Sequence, residues 1–83
     1  MAAYQLDGRR MDTRAAAHAY LQAALNLPDH YGKNLDALFD CLSERSGLRI
    51  EITYAQAMRN ALGHYGDKLI KVMRDAGAAI VVK

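Results

Sequence analysis

Leu48-Arg49-Ile50-Glu51-Ile52-Thr53-Tyr54 alternates apolar and polar residues without a break, and its reading decides the fold. Successive side chains of a strand point to opposite faces. Leu48, Ile50, Ile52 and Tyr54 are therefore predicted on one buried face, and Arg49, Glu51 and Thr53 on a wetter one. Isoleucine fits such a pleated, half-buried surface well. Helical patterns flank this strand on both sides, and a further strand pattern lies beyond each. Upstream, Tyr4-Gln5-Leu6 alternates and ends at Asp7-Gly8. Downstream, Ala78–Val82 is a continuous apolar run after Gly77, the pattern of a strand buried on both faces. Strands joined by helical crossovers predict a small two-layer α/β domain over residues 1–83, with a three-stranded parallel sheet packed with about four helices.

The helices are read from apolar spacing. After Asp12 or Thr13 as N-cap, Ala17, Tyr20, Leu21, Ala24 and Leu25 recur at helical intervals, and Pro28 is expected to stop that helix. A loop, Leu27–Lys33, leads to a second helix over about 34–45. Asn34 is its expected N-cap, and Gly47 is expected to end it in a left-handed conformation. Ala55–Leu62, closed by Gly63, is a third helix. A fourth runs from about Gly66 to Ala76, burying Leu69, Ile70, Val72 and Met73, with Asp67 and Lys71 as an i,i+4 pair. The expected core is Leu21, Leu25, Leu35, Leu38, Leu42, Ile50, Ile52, Leu69, Val72, Ile80 and Val81.

Composition narrows the function classes. The chain is 52% hydrophobic and 24% charged, which is globular rather than disordered. No apolar run approaches the roughly 20 residues of a membrane span, and the polar N-terminus does not read as a signal peptide. One cysteine, Cys41, excludes an internal disulfide and predicts a cytoplasmic protein with a buried structural thiol. His18, His30 and His64 show no metal spacing with each other or with Cys41, so no metal or other cofactor is expected. His18 and His64 read as surface or helix-cap residues.

The net charge of +2 is unevenly placed: residues 1–25 carry +1, residues 26–46 carry −2 and residues 47–83 carry +3. The acidic island coincides with the second helix. At about 100° per residue Leu35, Leu38 and Leu42 share one face, and Asp36, Asp40 and Glu44 fall nearly opposite. Carboxylates at i,i+4 repel by about 0.2–0.5 kcal/mol per pair, and no Lys or Arg interleaves them. A local cost with no visible compensation marks a place to look for function, and the partner it suits is cationic. Acid–base catalysis by Asp36 and Asp40 is disfavoured. Paired catalytic carboxyls need a cleft and different surroundings, which a convex helix face does not offer.

Leu27-Pro28, Tyr31-Gly32, Asn34-Leu35-Asp36-Ala37-Leu38 and Asp40-Cys41-Leu42 together resemble the barstar family of intracellular protein inhibitors of secreted microbial ribonucleases. The order of elements agrees with that family along the whole chain. The resemblance implies a non-enzymatic inhibitor, or the immunity half of a toxin–immunity pair. In that family the acidic helix and the loop before it plug the ribonuclease active site. Carried over, Asp36 and Asp40 would meet the enzyme's phosphate-binding Arg and Lys through charge-assisted hydrogen bonds. His30, Tyr31, Gly32, Asn34, Phe39 and Glu44 would share that surface, and Asp75 matches a further acidic position. His30 stands where a stacking aromatic is typical, Phe39 where tryptophan is usual, and Lys33 where an acid is common. The implied partner is a secreted ribonuclease, with no direct nucleic acid and no membrane; the oligomeric state is left open by the sequence, and a monomer is assumed.

A reading of another class is a nucleic-acid-binding module using Arg9, Arg10, Arg14 or the basic stretch Lys68, Lys71, Arg74. It is disfavoured because these residues lack interleaved exposed aromatics.

Overall fold

The computed structural model describes residues 2–83. Strand β1 (Ala2–Asp7) passes through a 3-10 turn (Gly8–Arg10) to helix α1 (Arg14–Ala24), and a loop leads to α2 (Leu35–Ser43). Strand β2 (Leu48–Thr53), helices α3 (Ala55–Leu62) and α4 (His64–Asp75), and strand β3 (Ala79–Val82) complete the order. The strands form a parallel sheet in the order β1-β2-β3, with Tyr4 opposite Ile50, Leu6 opposite Ile52, and Ile50 opposite Ile80. The two-layer α/β architecture is the one expected. No described helix is long and apolar enough to cross a membrane.

β2 is the central strand, and its alternation becomes burial: Leu48, Ile50 and Ile52 are buried while Arg49 is exposed. Around them pack Leu6, Met11, Leu21, Leu25, Leu38, Leu42, Met58, Leu69 and Met73, each at most 1% exposed. Thr13 caps α1 by accepting the Ala16 N–H at 3.0 Å, which settles the choice between Asp12 and Thr13.

Five expectations are corrected. β3 is exposed or half-buried throughout rather than buried on both faces, because it is an edge strand with a neighbour on one side only. Ile80 and Val81 are therefore half-buried, as are Leu35 and Val72. Tyr54 leaves the buried face of β2, since its backbone turns left-handed (φ 53°) and the residue is 55% exposed. Asp67 and Lys71 do not pair with each other. Asp67 accepts from Arg59 of α3 at 3.0 Å, and Lys71 reaches Asp75 at 2.8 Å, each finding a nearer partner. Finally, α2 ends at Ser43, and Gly47 (φ 68°) turns the chain into β2 rather than ending the helix directly.

Gly8 is where the turn meets the sheet. A Cβ built there would stand 2.3 Å from the Tyr54 carbonyl oxygen, a backbone atom that cannot rotate away. Gly8→Ala is expected to destabilise the protein by about 1–3 kcal/mol in urea melts, the usual range for overpacking.

Candidate functional site

The loop from α1 to α2 determines how the acidic helix is presented. α1 closes in a Schellman turn: Asn26 is left-handed (φ 56°), and the Leu27 N–H donates to the Gln22 carbonyl at 2.9 Å. Asparagine tolerates this backbone, so the helix ends at Ala24, in a turn completed by Asn26 before Pro28 is reached. The loop is then held at several points. The Gln22 side-chain amide donates to the Pro28 carbonyl at 2.9 Å, and the Tyr31 N–H donates to the same carbonyl at 3.0 Å. Arg45, just beyond α2, donates to the Leu25 and Asn26 carbonyls at 2.6 and 3.0 Å. Its guanidinium thereby meets the negative end of the α1 dipole. Sequence reading missed Arg45, whose partners lie 19 and 20 residues away.

Tyr31 is the inner anchor of the loop. It is 5% exposed, and its hydroxyl lies 2.6 Å from His18 Nδ1. The other imidazole nitrogen, Nε2, lies 2.6 Å from the Tyr65 hydroxyl on α4. A neutral imidazole has one N–H and one lone pair, so one tyrosine accepts and the other donates. His18 is thus a buried node joining α1, the loop and α4. This corrects its reading as a surface or cap residue. The available signal was its position three and seven residues before Leu21 and Leu25, on the same helix face. Burial also pushes the Tyr31 phenol well above its ordinary value.

Burial lowers the His18 pKa from its ordinary 6.5. The unfolded chain therefore binds this proton more readily than the folded one, so the stability His18 confers is complete above about pH 6.5 and is lost as pH falls. Urea melts between roughly pH 7 and 5 should show falling stability, at most about 1.4 kcal/mol per pH unit from this group. His18→Gln should flatten that slope. Asp7 and Glu51 are held below their ordinary values by hydrogen bonds from Arg9 and from Gln5 and Lys83, and they act in the same direction at lower pH.

With the loop fixed, α2 is placed beside it. Asn34 caps the helix, accepting the Ala37 N–H at 2.8 Å and donating to the Gly32 carbonyl at 3.3 Å. Lys33, between them, is left-handed (φ 55°). Leu38 and Leu42 face the core, and Asp36, Asp40 and Glu44 are all exposed. None of these three carboxylates has an ion-pair partner among the described residues. A groove of about 470 Å³ separates loop and helix, with His30 and Gly32 on one wall, Asp40, Cys41 and Glu44 on the other, and Arg45 also lining it. Cys41 is half-buried there rather than fully buried.

The structure therefore gathers His30, Gly32, Asp40 and Glu44 around one groove. Asp36 and Phe39, the latter 40% exposed, lie on α2 outside the groove, and Asn34 serves its cap. Asp75 sits at the end of α4 with its carboxylate on Lys71. Tyr31 faces inward, so it supports this surface from beneath.

Two comparisons bear on this arrangement. The family model described as Barstar (barnase inhibitor) matches residues 1–81. A Bacillus subtilis (strain 168) protein named "Putative ribonuclease inhibitor YrdF" is 34% identical over 73 residues, covering 86% of this chain and 80% of that protein. A match over nearly the whole chain, with the acidic helix and its pinned loop inside it, shows that the chain belongs to the barstar family.

Proposed function

We propose that this protein inhibits a secreted microbial ribonuclease by seating α2 and the loop before it in the enzyme's active site. The observation that carries this reading is the row Asp36, Asp40 and Glu44, exposed without cationic partners among the described residues, beside a loop held by Arg45, Gln22 and His18. A carboxylate row that is unfavourable in the free protein becomes favourable against phosphate-binding Arg and Lys. A loop already ordered loses little entropy on docking. In this reading Asp40 and Glu44 receive cations at the groove, His30 and Phe39 supply flanking ring contacts, and Gly32 lets the backbone approach. Asp36 and Asp75 widen the acidic surface. The protein performs no chemistry: as a single domain acting inside the cell it covers the enzyme, as the immunity half of a toxin–immunity pair would.

Titration of the purified protein against a panel of basic microbial ribonucleases tests this. Stoichiometric loss of RNA cleavage by at least one enzyme is expected, and full activity across the panel would overturn the proposal. Association should slow as salt rises, because screening weakens steering between opposite charges. With a net charge of +2 the long-range field is weak, so the slope should be shallower than that of an acidic inhibitor of the same enzyme. An equally steep slope would refute the charge argument.

A further inference from the structure

Arg9, Arg10 and Arg14 each hold a guanidinium over a tyrosine ring. Arg9 Cζ lies 3.8 Å from the ring centre of Tyr54, Arg14 Cζ 4.3 Å from that of Tyr65, and Arg10 Cζ 5.5 Å from that of Tyr20. Significant pairs of this kind occur about once per 70–80 residues. Three among the described residues of so short a chain, all from the segment 9–14, is a concentration that core packing does not require.

The rings are fixed from behind. The Tyr20 hydroxyl accepts the Asp7 N–H at 2.9 Å, and the Tyr65 hydroxyl is bound to His18 Nε2 at 2.6 Å. Tyr54 is held by its backbone, left-handed above Gly8 and open to solvent over more than half of its surface. Such a conformation is strained for a bulky residue and persists only where the surrounding structure imposes it. Asp7 neutralises Arg9 through two hydrogen bonds, at 3.1 and 2.9 Å. Arg10 and Arg14 are exposed and have no carboxylate partner among the described residues, although the exposed acid Asp12 stands between them in sequence. Lys68 follows Tyr65 by about one helical turn and is exposed.

The geometry points to a second binding face, for single-stranded nucleic acid, with Arg10 and Arg14 on the phosphates and Tyr54 as a stacking platform. Stacking on an exposed ring needs an unpaired base, which favours a single strand over a duplex. The aromatics missing from the basic segment itself are supplied by α1, α4 and the residue after β2. This face is separate from the groove, since none of Arg10, Arg14, Tyr54 and Tyr65 lines it.

Fluorescence anisotropy with a labelled oligouridine of about 12 nucleotides at low salt tests the proposal. Saturable binding is expected. Arg10→Ala/Arg14→Ala should weaken it about tenfold or more. The same variant should reduce the slope of log affinity against log salt by about 1.4, since each phosphate left without its arginine removes about 0.7. Tyr54→Asn, a residue that tolerates left-handed backbone, should weaken binding at least about fivefold while the fold is kept. Asp40→Ala should leave it unchanged, which separates this face from the inhibitory one. Absence of binding, or indifference to the arginine variant, would overturn the proposal. Inorganic polyphosphate competing equally well while Tyr54→Asn has no effect would reduce the face to a general anion site and overturn it too.

Discussion

Asp40→Ala is expected to weaken ribonuclease inhibition by several kcal/mol, at least about 2, while leaving folding stability unchanged or slightly higher. The carboxylate lies on the groove wall between Asp36 and Glu44 on the same exposed face of α2. Docked against guanidinium groups it would be desolvated and paired, and its removal would leave the enzyme's cations buried without a counter-charge. In the free protein it has no ion-pair partner among the described residues, and its i,i+4 neighbours repel it. Asp36→Ala should weaken inhibition less and cost about 0.3–1 kcal/mol of stability, because Asp36 lies in the first turn of α2, where the helix dipole favours a negative charge. Inhibition titrations and urea melts on both variants check this. If Asp40→Ala unfolds the protein while its folded fraction still inhibits, the acidic row is structural.

The complementary substitution lies two residues earlier, about 200° around the same helix. Leu38→Ala should destabilise the fold by about 2–5 kcal/mol, since Leu38 is 0% exposed in the core cluster with Leu42 and Leu69. A domain of this size has about 5–15 kcal/mol in total, so the variant should melt far earlier. Its folded fraction should nevertheless inhibit as the parent does, because the side chain points away from the groove. A cost below about 1 kcal/mol would mean that the apolar face of α2 is not packed as described. The two substitutions thus probe opposite faces of one helix: Leu38 is buried in the core, and Asp40 is exposed to solvent.

Much of this arrangement is legible in the sequence, wherever a local period or cap determines it. Alternation in Leu48–Thr53 places Ile50 and Ile52 inside, and helical spacing in Leu35–Leu42 separates the leucines from the acidic row. Asn34, Thr13 and Gly63 mark helix ends because capping is a bond or a backbone angle within a few residues. The acidic row follows from the same period, which is why Asp36, Asp40 and Glu44 are within reach, whereas His30, in the loop, is named only by the family resemblance. What supports that surface was not legible. His18 meets Tyr31 across 13 residues and Tyr65 across 47, and Arg45 finds its carbonyls across 19 and 20. The apolar run of β3 reads as a central strand, yet its burial depends on strand order, which leaves it at the edge. Asp67 lies one turn from Lys71 but bonds Arg59, because α3 folds back against α4. Local periodicity reports which way a residue faces along its own element. Which partner waits on that face depends on how the elements pack, and only the tertiary structure decides it.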